Sequence, residues 1–336
     1  MASQPKDNEE AENPAGGGGG SMNLTAAEIR SSLPPASLIH HIQTSLASLS
    51  HFIHSPIRPH FPVDEASSLI LMPAWSHHPS LPYIGVKVLT SFSRNAAQRL
   101  PSVHASYLLF RSDTGVPLAV LDGTELTLHR TAAVAALAAK FLARTDARVL
   151  SVVGTGALAP HVVRAHLAAL PSLRRIVLWN RTAEKARDLA ARLREEGIEN
   201  VCFEHRECLD EVVQMGDVIA CSTGSDRPLV NGGILKEGTH LGLIGSFTPS
   251  MRECDDEAIG RGKLFVDCEE AVEEAGEVVA ALQRGVIQRG DVGLLIDLID
   301  QRRDGRTSDA DITVFKTVGF AVLDILAAQL VYESHL

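Results

Sequence analysis

The chain has 336 residues, 45% of them hydrophobic and 21% charged, which are ordinary globular proportions with enough material for two hydrophobic cores. A formal net charge of −10 and a pI near 5.8 exclude a basic groove for nucleic acid and a basic face for an anionic membrane, leaving small metabolites as the expected partners. The five cysteines (Cys202, Cys208, Cys221, Cys254 and Cys268) are odd in number and form no C-x-x-C, so they read as reduced structural thiols in an intracellular protein.

Residues 1–21, "MASQPKDNEEAENPAGGGGGS", carry almost no apolar side chain and finish in five glycines followed by serine, so they are expected to be a disordered tail. The tail has no apolar stretch of the secretory kind, and its acids Asp7, Glu9, Glu10 and Glu12 disfavour a plastid transit peptide relative to a cytoplasmic location. No apolar run approaches ~20 residues, so no membrane span is expected.

From Met22 to about Arg130 helical and extended patterns are mixed. "LTAAEIRSSLP" opens with Thr25 as an N-cap and Glu28 three residues on, a capping box, and a second helix is expected from about Pro35 to His54. Short extended runs follow: "SSLILMPAW", "YIGVKVLTSF" and "ASYLLFRSDTGVPLAVLDG", the last a hairpin because Ser-Asp-Thr-Gly separates two β-rich arms. This part reads as α+β with an antiparallel sheet. "TELTLHRTAAVAALAAKFLAR" is Ala-rich and helical up to Asp146. Beyond it strands are expected at 148–153, 175–179, 200–203, 217–221, 239–244 and 263–266, with room for a helix between most of them. That alternation implies an α/β fold with a Rossmann-type, doubly wound parallel sheet, joined to the α+β part that precedes it, which is the expected substrate domain. The C-terminal segment "DITVFKTVGFAVLDILAAQLVYESHL" ends in an apolar helix expected to return and cover the first domain. The implied division is 22–131 with 312–336 for the substrate domain and 132–311 for the nucleotide domain.

"VLSVVGTGALA" fits G-x-G-x-x-A, with Gly154, Gly156 and Ala159 set between a strand and a helix. Such glycines let the backbone approach a pyrophosphate, and the helix N-terminus presents free N–H groups, so Gly154, Thr155, Gly156, Ala157 and Leu158 are the expected cofactor turn. At the end of the second strand NAD-specific proteins usually place an acid. Here the position is Asn180, 26 residues beyond Gly154, followed by Arg181 and Thr182. A carboxylate would repel a 2′-phosphate whereas these three side chains can donate to one, so NADPH is the expected cofactor, with NADH possible. A hydride-transfer enzyme must also orient its substrate. Lys87 in "YIGVKVLT", Arg58 in "SPIRPHFP" and Arg130 in "LHRTAA" are cations in apolar settings and together suggest a carboxylate clamp. His104 and His129 read as hydrogen-bonding histidines, and no spacing of His, Cys and Asp suggests a metal.

Taken in order, "YIGVKVLT", "GVPLAVLDGTELTLHRTAA", "VVGTGALA", "WNRT", "HLGLIGSFTPSMRECD" and "ITVFKTVG" resemble the ornithine cyclodeaminase/mu-crystallin family, from about Met22 to the C-terminus. Within it the chain looks most like the plant ketimine (2,3-dehydropipecolate) reductases that make pipecolate in systemic acquired resistance. The resemblance implies a plastid location, a homodimer joined through the substrate-domain sheets, and NAD(P)H in the interdomain cleft. It also implies that Arg58, Lys87 and Arg130 bind the substrate carboxylate, with Lys87 the catalytic candidate, and that Thr223, Ile244 and Val318 lie near the nicotinamide half of the cofactor. Cyclodeaminases of the family carry an aspartate at the position of Phe247, which cannot act as acid, base or amine ligand. Imine reduction is therefore expected rather than ornithine cyclisation. The alternatives are alanine-dehydrogenase-like oxidation of an amino acid and a non-catalytic binding role of the mu-crystallin kind.

Overall fold

The computed structural model describes residues 21–98 and 100–336. Apart from Ser21, the expected tail lies outside the described residues. The strands are β1 (Met22–Leu24), β2 (His60–Asp64), β3 (Ser67–Trp75), β4 (Tyr83–Phe92), β5 (Val103–Arg111), β6 (Pro117–Asp122), β7 (Val149–Val153), β8 (Arg175–Trp179), β9 (Cys202–His205), β10 (Val218–Cys221), β11 (His240–Leu243), β12 (Gly262–Val266), β13 (Gly293–Leu294) and β14 (Ile312–Lys316). The helices are α1 (Ala26–Ser32), α2 (Pro35–Leu49), α3 (Gly123–Leu142), α4 (Ala159–Ala169), α5 (Ala183–Glu195), α6 (Leu209–Met215), α7 (Asp256–Arg261), α8 (Ala271–Glu274), α9 (Gly276–Gln283), α10 (Leu295–Ile299) and α11 (Ala321–Glu333).

The first sheet has the order β1-β6-β5-β4-β3-β2 and is antiparallel except where β1 joins β6. Much of β3 and the first half of β4 alternate between buried and half-buried residues, the pattern of a sheet with one face against a core. The Thr25–Glu28 capping box forms, with the Thr25 N–H donating to Glu28 Oε2 at 2.8 Å. α2 stops at Leu49, short of the expected His54, and a 3-10 turn over Ser50–Phe52 follows. β1 is only three residues long and β2 has a proline at its centre, so neither stands out as a strand in the sequence.

The second sheet is wholly parallel and runs β13-β12-β14-β11-β10-β7-β8-β9. Strands β7, β8, β10 and β11 are nearly continuous apolar runs and are buried almost throughout, as expected of strands covered on both faces. One placement departs from the sequence reading. β14, expected with the C-terminal helix in the first domain, lies between β11 and β12 in the parallel sheet. Its residues ITVFK are all buried, Lys316 included, so the run reads as a central strand rather than as a lead-in to a helix. Only after the turn Thr317–Gly319 does the chain cross to the first sheet, where α11 packs against β3, β4, α2 and α3. α11 is apolar on almost every side because it is surrounded in this way.

Candidate active site

Strand order reverses between β7 and β10, and ligands of open α/β sheets bind outside the carboxyl ends of the strands at such a point. Gly154 follows β7 there, and Ser222, Thr223 and Gly224 follow β10. Gly154 has φ +97°, and a Cβ on it would press on the Ser222 carbonyl oxygen at 2.7 Å, so only glycine fits. Gly156 is the opposite case: a Cβ there would meet nothing within 4 Å and would project into open space. The Thr155 hydroxyl is buried without a partner among the described residues. An open cradle of glycine backbone at the head of α4 is what a dinucleotide pyrophosphate requires, so these residues fit the expected cofactor.

The turn is held by Asn180, whose Oδ1 accepts from the Thr155 N–H at 3.2 Å while its Nδ2 donates to the Thr182 carbonyl at 3.0 Å. Asn180 is thus occupied in shaping the site. The exposed Arg181 and Thr182 line the same cleft of about 330 Å³, joined there by Lys185, a cation the sequence reading did not select. Ala157 is exposed in the turn, outside the residues that line either cleft, whereas Leu158 faces the second one.

That second cleft, also about 330 Å³, shares Ser222, Thr223 and Gly224 with the first and extends from them to the antiparallel sheet. Thr223, Ile244 and Val318 line it, as do Arg58, Lys87 and Arg130. Lys87 stands on β4 opposite Tyr107 of β5 and is 1% exposed. Gly85, two residues earlier, has no room for a Cβ because the Tyr107 phenol lies over it, which accounts for the glycine of "GVK". Lys87 Nζ donates to both oxygens of Asp324, at 2.8 and 3.0 Å, and Arg130 Nε donates to Asp324 Oδ1 at 3.0 Å. Burial, reinforced by the Arg130 charge, pushes the Lys87 amine down to about 7 against the opposing pull of Asp324. Burial alone would raise the Asp324 carboxyl; Arg130 and Lys87 outweigh it and hold it below its usual range.

Arg58 is also engaged. It pairs with Glu274, its Nε donating to Oε1 at 3.1 Å, and its Nη1 donates to the Gly319 carbonyl at 3.1 Å. The Arg130 guanidinium lies against Gly319 from the other side, leaving no room for a Cβ at that φ +73° position. Asp267 fixes the turn beneath both arginines, accepting from the Thr317 hydroxyl at 2.5 Å and the Gly319 N–H at 2.8 Å. On the cofactor side, buried Glu253 accepts from the Thr223 N–H and hydroxyl at 2.7 and 2.9 Å and from the Gly245 N–H at 2.7 Å. These acids were missed. Asp324 had a signal: it is the one charge within "GFAVLDILAAQL", and a lone carboxylate on an apolar helix needs a buried partner. Asp267, Glu253 and Glu274 had none, because their partners are backbone groups or distant in sequence.

A model of the ornithine cyclodeaminase/mu-crystallin family matches residues 20–336. The chain belongs to that family. It is 50% identical to Protein SAR DEFICIENT 4 of Arabidopsis thaliana over 315 residues, covering 93% of this chain and 97% of the relative. It is 35% identical over 267 residues to a Delta(1)-pyrroline-2-carboxylate reductase of Colwellia psychrerythraea, 79% of this chain and 83% of the relative. The solved Delta(1)-pyrroline-2-carboxylate reductase of Thermococcus litoralis, in complex with NADH and L-proline, superposes with a TM-score of 0.87 at 27% identity. That match covers 93% of this chain and 96% of the other.

Phe247, where the resemblance implies an aspartate in cyclodeaminases, lines the cleft together with Met251 and is 38% exposed. No helix among the described residues is long and apolar enough to cross a membrane.

Proposed function

We propose that this protein reduces a cyclic ketimine carboxylate, Δ1-piperideine-2-carboxylate (2,3-dehydropipecolate), to pipecolate with NADPH. It is a nicotinamide-dependent oxidoreductase acting on C=N bonds, and the ring and the phosphate are the proposed refinements. The observation that carries the reading is the buried Lys87–Asp324–Arg130 cluster opening on the cleft at the sheet's switch point.

Three cations, Arg58, Lys87 and Arg130, line the cleft, Lys87 and Arg130 sharing Asp324 behind them and Arg58 pairing with Glu274, and among the described residues no carboxylate lines the cleft itself. That cationic lining suits one substrate carboxylate. Arg130, whose Nε alone is committed to Asp324, keeps its terminal nitrogens for that carboxylate, and Arg58 sits beside it. When bound, the reduced nicotinamide supplies the hydride. Lys87 supplies or shares the proton at the ring nitrogen, and an amine near 7 suits a group that must give up a proton at neutral pH. Asp324 then balances the remaining charge, and Ile70, Met72, Leu89 and Phe247 give the cleft an apolar wall with no carboxylate among its described lining residues to bind a second amine.

NADPH is favoured because Arg181, Thr182 and Lys185 line the cleft past β8 and, among the described residues, no carboxylate does. A homodimer through the first sheet is supported by its edge: β2 is exposed along its whole length, with Phe61 48% and Val63 60% exposed. The test is to offer the purified protein the imine generated by oxidising lysine, with NADPH or NADH, and to follow pyridine-nucleotide oxidation and pipecolate. Turnover with NADPH is expected. Absence of pipecolate with both cofactors, in folded protein, would overturn the proposal.

A further inference from the structure

On the far side of α3 from Asp324, three side chains meet that the reaction does not use. Glu125 and His129 lie one turn apart on α3, with Glu125 Oε1 and His129 Nε2 3.1 Å apart, and His161 approaches from the first turn of α4. The two imidazoles meet edge-on with ring centroids 4.5 Å apart, and one donor atom from each of the three residues lies within 4.8 Å of the others. We propose that Glu125, His129 and His161 form a site for a borderline divalent cation, Zn²⁺ foremost, that ties α3 to α4.

Two imidazoles and a carboxylate are a zinc donor set, and the i,i+4 placement of two of them presents both to one side of a helix. In a tetrahedral site the ligand atoms stand about 3.3 Å apart, so the widest gap here must close by about 1.5 Å, a movement within reach of a side-chain rotation. A further contact orients a donor as a ligand support does: Arg30 holds Glu125 Oε2 at 2.8 Å and leaves Oε1 toward His129. The nearby Arg164 is already committed to Glu196, with Nε donating at 3.0 Å. A cavity of about 260 Å³ adjoins both histidines and leaves room for water as a fourth ligand. The sequence reading expected no metal because the third donor comes from a different helix, 32 residues beyond His129.

The placement gives such an ion a consequence. His129 precedes Arg130, and His161 stands in the first turn of the helix that begins from the glycine turn, so the ion would pin the substrate-binding helix to the cofactor-binding one. Chelator-treated full-length protein titrated with Co²⁺ should develop visible ligand-field bands that saturate at one equivalent and disappear when Zn²⁺ is added. A hundredfold excess of Zn²⁺ over its Kd should raise the melting temperature by about 4 °C. His129→Gln and His161→Gln should each abolish the bands and the melting shift. His161→Gln carries the test if the first variant fails to fold, since that ring makes only an edge contact with His129 in the cluster. Absence of the bands in the folded wild-type protein, or bands of undiminished affinity in folded His161→Gln, would overturn the proposal.

Discussion

Replacing Asp324 by Asn keeps the shape of the side chain and removes the charge shared by Lys87 and Arg130. Lys87 Nζ lies 2.8 and 3.0 Å from the two Asp324 oxygens, and this contact is what holds the proton on an amine that burial and Arg130 drive off. A charge-assisted hydrogen bond of this kind contributes about 1.5–3 kcal/mol, equivalent to a fall of about 1–2 units in the Lys87 pKa. If Lys87 must be protonated to act, kcat/KM in the wild-type protein is level below about pH 7 and declines above it, because kcat/KM reports groups of the free enzyme. In Asp324→Asn the same decline should begin about 1–2 units lower, so that the variant is ten- to a hundredfold slower at pH 8 and recovers part of the difference at pH 6. Arg130 acts on Lys87 with the opposite sign, so Arg130→Met should move the decline to higher pH even as it weakens substrate binding. The assay is kcat/KM for the imine acid across pH, with circular dichroism and melting to show that each variant folds, since breaking a buried pair costs about 3–5 kcal/mol. A folded Asp324→Asn protein whose profile declines at the wild-type pH would refute the coupling and, with it, the assignment of the proton to Lys87.

Three other perturbations probe separate parts of the cleft. Arg181→Ala should weaken NADPH by about ten- to a hundredfold, the value of an Arg–phosphate contact, and leave NADH nearly unchanged in paired titrations; equal losses would remove Arg181 from the 2′-phosphate. Incubation with NAD and ornithine should yield neither ammonia nor proline at a rate comparable with imine reduction, because Phe247 offers no acid where cyclodeaminases keep one; comparable turnover would contradict that reading. Gly156→Val should melt like the wild type, since a Cβ there meets nothing within 4 Å, yet lose cofactor binding; retained affinity for both cofactors would place the pyrophosphate elsewhere.

What could be read in the sequence follows from how far apart the interacting residues lie. The parallel strands were legible because a strand buried on both faces must be an apolar run, and the glycine turn because its constraint is local, Gly154 needing positive φ next to the β10 loop. Lys87, Arg58 and Arg130 stood out as charges in apolar surroundings. Their pairing did not: Asp324, visible only as the lone charge of an apolar helix, lies 237 residues from Lys87, and Glu274 lies 216 from Arg58, and no pattern in a single chain ties such pairs together. β14 shows the same limit from the other side. Its five residues were read with the helix that follows them, since a short apolar run ahead of a long apolar helix has no period of its own. Its place between β11 and β12 sets the chain at the cleft as it leaves the parallel sheet, and the turn Thr317–Gly319, held there by Asp267, delivers α11 with Asp324 facing Lys87. The misplaced strand and the missed carboxylate are thus one omission. This crossover between the two sheets also carries the carboxylate that pairs with Lys87, so that the centre of the parallel sheet and the buried lysine of the antiparallel one are tied together by a single segment of chain.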